Sequence, residues 1–380
     1  LAEWVDKGHP PFDLWPVDIC RFGQTHADSE WVRTRTLESY SKHYGISWPN
    51  EEYISCRENR CSPLYKTLKQ KGAVFGEKFG WERPNWFAAP GEDRRDVYSF
   101  SKPNWHYAVA REHKAARGAA ALFDQTSFAK FVLKGPDSVQ ALNWIASNNV
   151  ERSEGSIIYT QMLNDFGGIE CDVICVRKSK EEFYIVTGTG FATHDYNWIS
   201  KNIPFNMKAK LIDVTSKNAV VSLFGPKSRE ILSACTESDI SNENFGFATA
   251  KNIEIFGCPV LALRITFVGE LGWELHMPIQ FARTVYEGLH SAGKSLGIRD
   301  AGYRAIESLR LEKGYRSWSS DIGPDHSPDE AGLGWAVKMQ KGIEFKGKKA
   351  VSESRKRDLK KMLATFSIEP DIALTGRETI

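Results

Sequence analysis

The sequence predicts an α+β protein made of two related α+β subdomains, followed by the start of a further β-domain. Three stretches carry that prediction. The first is a repeat: Leu133-Lys-Gly-Pro-Asp-Ser-Val-Gln-Ala-Leu142 matches Leu223-Phe-Gly-Pro-Lys-Ser-Arg-Glu-Ile-Leu232 position by position. Each copy reads as a strand, a Gly-Pro turn and a helix, and two copies point to paired subdomains rather than a solenoid. The second is Arg264 to Pro278, RITFVGELGWELHMP, where two runs of period-two alternation meet at a glycine-rich bend. Leu261, Leu263, Ile265 and Phe267 lie on one face before the bend; Leu271, Trp273, Leu275 and Met277 do so after it. The expected product is a half-buried hairpin with Glu270 at its tip and Glu274 just inside, near Phe267 and Trp273. The third is a hairpin from Ile157 to Leu163 and Ile169 to Cys175 across Asn164-Asp-Phe-Gly-Gly168, with Glu170 and Asp172 opposite Ile169, Cys171, Val173 and Cys175.

Composition sets bounds on function. The chain has 380 residues, 41% hydrophobic and 26% charged, which suits two or three globular domains. A net charge of +2 demands neither a nucleic-acid nor a membrane partner, and the run Arg355 to Lys361 reads as a solvated helix face or linker. No run approaches the ~18 apolar residues of a membrane span, and no signal-peptide core is evident. The chain begins at Leu1 in sequence typical of the middle of a protein, so a fragment or processed chain is expected. Its seven cysteines follow no disulfide framework. Cys56 and Cys61 have no second pair to complete a zinc site, so free thiols and no bound metal are expected.

Taken in order, Leu1 to Tyr44 offers a helix over Ser29 to Tyr40 and an aromatic, proline-rich strap around Pro10, Pro11, Trp15 and Pro16. Ser62-Pro63-Leu64 starts a short helix, and Trp81 to Phe87 reads as an extended connector because Pro84 biases Arg83 away from helix. Helices are predicted from Tyr107 to Ala116, Ser138 to Ile145, Thr193 to Ser200, Ala282 to Leu296 and Ala301 to Lys313. Strands are predicted at Ala120 to Phe123, Phe128 to Leu133 and Phe183 to Val186. Thr187-Gly-Thr-Gly190 is too short for a dinucleotide fingerprint, and the sequence shows no Rossmann signature of its own. The last segment starts strand-like at Trp335 to Lys338, passes a charged helix, and ends on a strand from Met362 to Ile368. The expected division is 1–90, 91–330 and 331–380.

Four motifs in register carry a family resemblance: Phe123-Asp-Gln-Thr-Ser-Phe-Ala-Lys-Phe-Val-Leu-Lys-Gly-Pro136, Met162-Leu-Asn-Asp-Phe-Gly-Gly168, Phe267-Val-Gly-Glu-Leu-Gly-Trp-Glu274 and Ser308-Leu-Arg-Leu-Glu-Lys-Gly314. Together they resemble the folate-binding aminomethyltransferase (glycine-cleavage T-protein, GcvT-like) family. The flanks, notably Gly80-Trp-Glu-Arg-Pro-Asn-Trp-Phe87, Ala301-Gly-Tyr-Arg-Ala-Ile-Glu-Ser308 and Asp325-His-Ser-Pro-Asp-Glu-Ala-Gly-Leu333, resemble the sarcosine dehydrogenase branch. The dimethylglycine dehydrogenases, an alternative, share the folate motifs but fit the Trp81 and Asp325 regions less closely.

The resemblance implies a GcvT-like fold followed by the start of a C-terminal β-barrel, with the tail of a flavin-dependent oxidoreductase domain in front. It implies tetrahydrofolate as cofactor here and FAD in a preceding domain, whose binding motif this chain lacks. An N-methyl amine substrate, an electron acceptor for the flavin and a mitochondrial location follow from the same source. By position it makes Asp172 the catalytic base beside the folate amine and Glu274 the acceptor for the pterin's amino-pyrimidine edge. It makes Tyr159 and Phe267 ring-packing residues and Thr187 a further folate contact. Thr187 stands where the family often has Asn, Phe267 where it has Tyr, and Ile306 near a family Arg. A non-enzymatic relative, a regulatory subunit of pyruvate dehydrogenase phosphatase, is the alternative of a different class; the intact Gly269-Glu-Leu-Gly-Trp-Glu274 favours the enzyme.

Overall fold

The two Gly-Pro turns mark where the chain folds in the same way twice. In the computed structural model, which describes residues 1–23, 26–369, 372 and 374, the helices are α1 (Ala2–Lys7), α2 (Ser29–Lys42), α3 (Tyr65–Gln70), α4 (His106–Gly118), α5 (Ser138–Ile145), α6 (Ala192–Asn202), α7 (Ser228–Ser233), α8 (Ala282–Gly293), α9 (Tyr303–Glu312) and α10 (Lys348–Ser354). The strands are β1 (Ala73–Lys78), β2 (Trp81–Phe87), β3 (Ala120–Asp124), β4 (Ala129–Lys134), β5 (Ile157–Leu163), β6 (Ile169–Ser179), β7 (Glu182–Thr187), β8 (Lys210–Asp213), β9 (Asn218–Phe224), β10 (Ala250–Ile255), β11 (Cys258–Leu263), β12 (Gly272–Pro278) and β13 (Ile298–Asp300).

The repeat extends far beyond the ten residues that reveal it. One unit runs β4-α5-β5-β6-β7-α6-β8 and the other β9-α7-β10-β11-β12-α8-β13. Their sheets follow the same plan, β5-β6-β7-β4-β8 and β10-β11-β12-β9-β3-β13, with β3 inserted beside β9 in the second. The turns themselves match. Gly135 (φ 137°) and Gly225 (φ 139°) hold a backbone conformation open to glycine. A Cβ at either would strike a backbone carbonyl, that of Lys208 or of Ala119.

Each sheet carries helices on one side and faces the other sheet on its second side. Leu142, Ile145 and Ile199 cover Phe131, Leu133, Phe183 and Ile185 of the five-stranded sheet. Ile231, Leu232, Val285 and Leu289 cover Val221, Leu223, Trp273 and Leu275 of the six-stranded sheet. Each such large side chain contributes about 1.5–3 kcal/mol on burial. Between the sheets, Ile157, Val176, Tyr184 and Val186 meet Ala250 and Leu263. Both faces of β12 are therefore buried from Gly272 to Met277, not half-exposed as the alternation alone suggests. Trp273 points to the helix side, away from Glu274.

Other expectations change as well. β11 ends at Leu263, so Ile265 and Phe267 lie in a loop rather than a strand. The Thr266 hydroxyl accepts the amides of Val268, Gly269 and Glu270 at 3.2, 3.0 and 3.3 Å and coils the chain there. Arg117 then pins the loop through the Val268 carbonyl at 2.6 Å and the Glu270 carboxylate at 3.1 Å. Trp81 to Phe87 is no mere connector: it is a strand paired with β1, and Pro84, opposite Phe75, adjoins a bulge at Asn85 where its missing N–H is tolerated. Trp335 to Lys338 forms no strand but a 3-10 turn over Gly334–Ala336. Met362 to Ile368 is exposed and not in a strand, because no strand among the described residues lies beside it to pair with.

The predicted N-terminal strap lies on the rest of the fold, with Trp15 packed against the cluster of Leu163, Trp318, Leu333 and Phe345. All seven cysteines are free thiols.

Because both repeat turns need a conformation reserved for glycine, Gly135→Ala and Gly225→Ala should each cost about 1–3 kcal/mol of stability. Chemical denaturation checks this; an unchanged midpoint in both variants would show that the turns relax freely.

Candidate functional site

Alternation along β5 and β6 decides which side chains enter the space between the sheets. Val176 lies opposite Tyr184 and Ile174 opposite Val186 and Tyr159, so Asp172, Tyr159 and Gln161 share the face that Tyr184 presents to the second sheet. On the facing sheet Glu274 and His276 of β12 occupy the corresponding face, with Ser222 of β9 opposite Glu274. A hydrogen-bond chain crosses the interface: the Tyr184 hydroxyl meets His276 Nδ1 at 3.1 Å, and His276 Nε2 lies 3.4 Å from Glu274 Oε2. Glu274 is 6% exposed. Burial lowers the His276 pKa, against the opposing pull of Glu274.

Asp172 accepts a hydrogen bond from Gln161 Nε2 at 2.9 Å. Burial pushes its carboxyl up to about 6; hydrogen bonds from Tyr159 and Gln161 act against that rise, and the nearby Asp195 adds to it. Tyr159 is half-buried, its ring 5.8 Å from that of Trp335. Two further polar atoms near this space, Gln161 Oε1 and Gln125 Nε2, are buried without a protein partner. Lys130, on the same face of β4 as Val132, is fully buried and donates to the carbonyls of Thr126 at 2.6 Å and Asn218 at 2.8 Å.

Phe267 lies in the loop before β12, stacked on Tyr315 at 6.3 Å and packed in a cluster with Phe123, Phe224, Ile306 and Tyr303. Thr187 is placed differently. It belongs to the helix-covered face of β7, and its hydroxyl donates to Asp195 Oδ2 at 2.5 Å.

That bond leads to a cluster that pattern reading did not single out. His194 Nδ1 lies 2.8 Å from Asp195 Oδ1, and its Nε2 lies 3.4 Å from Glu170 Oε2. Burial opposes charge on the imidazole, yet the two carboxylates outweigh it and raise the pKa to about 9. The rings of Trp15 and Trp318 cover it at 4.6 and 5.0 Å, a favourable setting for a cation. Donor atoms of Cys171, His194 and Asp195 lie within 4.8 Å of one another. Both imidazole nitrogens of His194 lie against carboxylates, which ties the cluster together by hydrogen bonds. The signal for it was the adjacent His194-Asp195 at the start of a helix. Gln161, Tyr184 and His276 gave no signal, because their partners come from other strands.

A groove of about 1230 Å³ is lined by Lys178, Tyr184, Asn218, Asn252, Phe256 and His276 among others. It does not include Asp172 or Glu274.

The raised pKa of Asp172 fixes a sign. The folded protein holds this proton more tightly than the unfolded chain does, so wild type loses stability as pH rises from about 4 to about 6. Asp172→Asn carries no such penalty. It should be more stable than wild type by about 1–3 kcal/mol at pH 7.5, an advantage that shrinks below pH 4. Denaturant titrations at both pH values test this, and a difference independent of pH would contradict it.

Comparison with known proteins follows from the same regions. The GCVT N-terminal domain matches residues 64–341, and the FAD dependent oxidoreductase central domain matches residues 7–62. Mitochondrial sarcosine dehydrogenase of Homo sapiens is 38% identical over 419 residues, covering 100% of this chain and 46% of that protein. 4-methylaminobutanoate oxidase (formaldehyde-forming) of Paenarthrobacter nicotinovorans is 39% identical over 351 residues, covering 92% and 42% respectively. This chain thus spans less than half the length of these two relatives. Among solved structures, glycine cleavage system aminomethyltransferase T from Bartonella henselae superposes with a TM-score of 0.66 at 27% identity, over 79% of this chain and 75% of that one. By sequence match over most of its length and by fold, the chain belongs to the GCVT family of aminomethyltransferase T-like proteins.

Proposed function

We propose that this chain is the folate-dependent part of a sarcosine dehydrogenase, capturing on tetrahydrofolate the one-carbon unit released when the N-methyl group of sarcosine is oxidised. The products are glycine and 5,10-methylenetetrahydrofolate. The observation that carries the reading is the Asp172 carboxyl, held at a pKa of about 6 on a face turned toward Glu274's sheet.

Tetrahydrofolate supplies a nucleophilic amine that takes up the one-carbon unit. The residues suit such a heterocycle: Gln161 Oε1, on the strand face of aromatic Tyr159, is an unpartnered acceptor, and Gln125 Nε2, beside Ser222, is an unpartnered donor. Asp172, mostly ionised at neutral pH, takes the proton that leaves nitrogen as its bond to carbon forms, a role worth ~10²–10⁴-fold. Tyr159 and Gln161 hold that carboxyl in place. Glu274 accepts hydrogen bonds from the amino-pyrimidine edge, and Tyr184 and His276 fix its orientation. Phe267 packs near the ring system. Thr187 acts through Asp195 rather than by touching the pterin.

In the whole protein, the oxidation falls to an FAD-bearing part with its own electron acceptor. Residues 1–90 form its tail, 91–330 the folate-binding region and 331–380 the entry to a C-terminal domain. A mitochondrial setting follows from the resemblance to mitochondrial dehydrogenases.

Calorimetric titration of 5-formyltetrahydrofolate into this chain should show saturable one-to-one binding, weakened by about 1.5–3 kcal/mol in Glu274→Ala. No binding to a demonstrably folded chain would overturn the reading and favour a non-enzymatic relative. In the full-length protein, Asp172→Asn should leave flavin reduction by sarcosine intact and slow methylene-folate formation. An unchanged rate of that second step would remove Asp172 from the chemistry.

A further inference from the structure

Most charged groups of the N-terminal hairpin region are paired: Arg57 with Glu82, Arg35 with Glu77 and Lys69 with Glu58. Two are not. Lys78 ends β1 and Arg83 lies on β2, and neither has a carboxylate within salt-bridge distance among the described residues. The Arg83 guanidinium stacks on the ring of Tyr303 at 4.1 Å, with Nε buried and without a partner. The Tyr303 hydroxyl lies 3.2 Å from Ser127 Oγ, which lies 2.8 Å from Thr189 Oγ1. The next residue, Gly190, sits against Lys78, whose Cε lies 3.0 Å from where a Cβ at that glycine would stand. The circuit closes: two cations from the hairpin and three hydroxyls, from the β3–β4 loop, the turn after β7 and the first residue of α9.

Like charges in one recess repel, and the Lys78 ammonium feels it. Burial lowers its pKa, the Arg83 charge lowers it further, and Glu52 and Glu77 only partly offset both. A protein that places two cations side by side without a counter-ion, beside hydroxyls able to donate, is arranged for an anion from outside. A fork stacked flat on an aromatic ring keeps its edge free for two parallel hydrogen bonds, which matches a carboxylate.

We propose that Lys78 and Arg83, with Ser127, Thr189 and Tyr303, form a carboxylate-binding site on the hairpin side of the candidate folate region. The identity of its ligand rests on the function proposed above. That function brings two carboxylates to this chain, the glutamyl tail of the folate and the carboxylate of the amino acid.

Calorimetry separates the two sources. The probes are 5-formyltetrahydrofolate, 6-methyltetrahydropterin (which lacks the glutamyl tail), glycine and N-methylglycine. The variants are Lys78→Gln, Arg83→Gln and the double substitution. Both single changes spare the core, and Arg83→Gln keeps the aliphatic stem on Tyr303; thermal melts confirm folding. If the site holds the folate tail, Arg83→Gln weakens 5-formyltetrahydrofolate by at least ~10-fold and leaves 6-methyltetrahydropterin unchanged. If it holds the amino acid, glycine and N-methylglycine weaken while folate does not. Either result supports the site, and Arg83→Lys should recover only part of the loss. Folate binding that falls in Glu274→Ala but is untouched by the double variant, together with glycine and N-methylglycine binding equally untouched, overturns the carboxylate site and leaves the folate reading standing. A folded chain that binds neither folate nor pterin overturns the folate reading instead, and the amino-acid titrations then decide the site alone: no binding overturns it.

Discussion

The hydrogen bond between Tyr184 and His276 joins the two halves of the molecule and sets what lies between them. Both sheets carry helices on their outer sides, so their inner faces must cover each other. Complete apolar packing there would be more stable than a polar seam, since each buried donor or acceptor needs a partner. The structure keeps Tyr184, His276, Glu274, Lys130, Asp172 and Gln161 on those faces all the same. Most find partners within the protein, but Gln161 Oε1 and Gln125 Nε2 do not. Two such atoms therefore lie where the two repeats meet, and others lie elsewhere among the described residues.

The repeat explains why the seam is available. Each unit alone is a twisted sheet with helices on one face and a bare second face. Duplication supplies the cover, and equal strand order makes the two bare faces similar in extent. Residues can then diverge on one copy without disturbing the other. Asp172 sits on the third-last strand of the first unit's plan and Glu274 on the equivalent strand's neighbour in the second, so each copy contributes a carboxylate of different environment. Asp172 is flanked by a phenol and an amide; Glu274 is tied to an imidazole.

Local pattern carried most of the fold. The Gly-Pro repeat, the hairpin through Asn164 to Gly168 and the helix at Ser138 to Ile145 are all visible in sequence because their determinants are neighbours in the chain. Asp172 could be placed on the face away from Cys171 for the same reason. What stayed hidden depends on long-range cover. Period-two alternation in β12 cannot reveal that the polar face meets another sheet, and it wrongly set Trp273 beside Glu274. The end of β11 was missed because Thr266 and Arg117 together override the strand pattern. Met362 to Ile368 has strand-like residues but no neighbour to pair with among the described ones. The candidate site showed the same limit: Asp172, Glu274, Tyr159 and Phe267 were picked out by resemblance, while Gln161, His194 and Asp195 have partners on other elements.

The His194 cluster shows how the carboxyl groups at one end of β6 are met by residues from beyond that strand. Glu170, Asp172 and Asp195 bring three carboxyl groups to one end of β6, where like charges repel. The His194 imidazolium stands between Glu170 and Asp195 and offsets that repulsion. Its charge needs cover from water to act strongly, and Trp15 and Trp318 provide it from the N-terminal strap and the loop after α9. The carboxyl of Asp172 is pushed up to about 6 mainly by burial; Asp195 adds to the rise, and hydrogen bonds from Tyr159 and Gln161 act against it. The strap matched to the oxidoreductase domain is thus part of the setting of a buried charge cluster on the GCVT domain, and a change at Trp15 would alter the cover over His194.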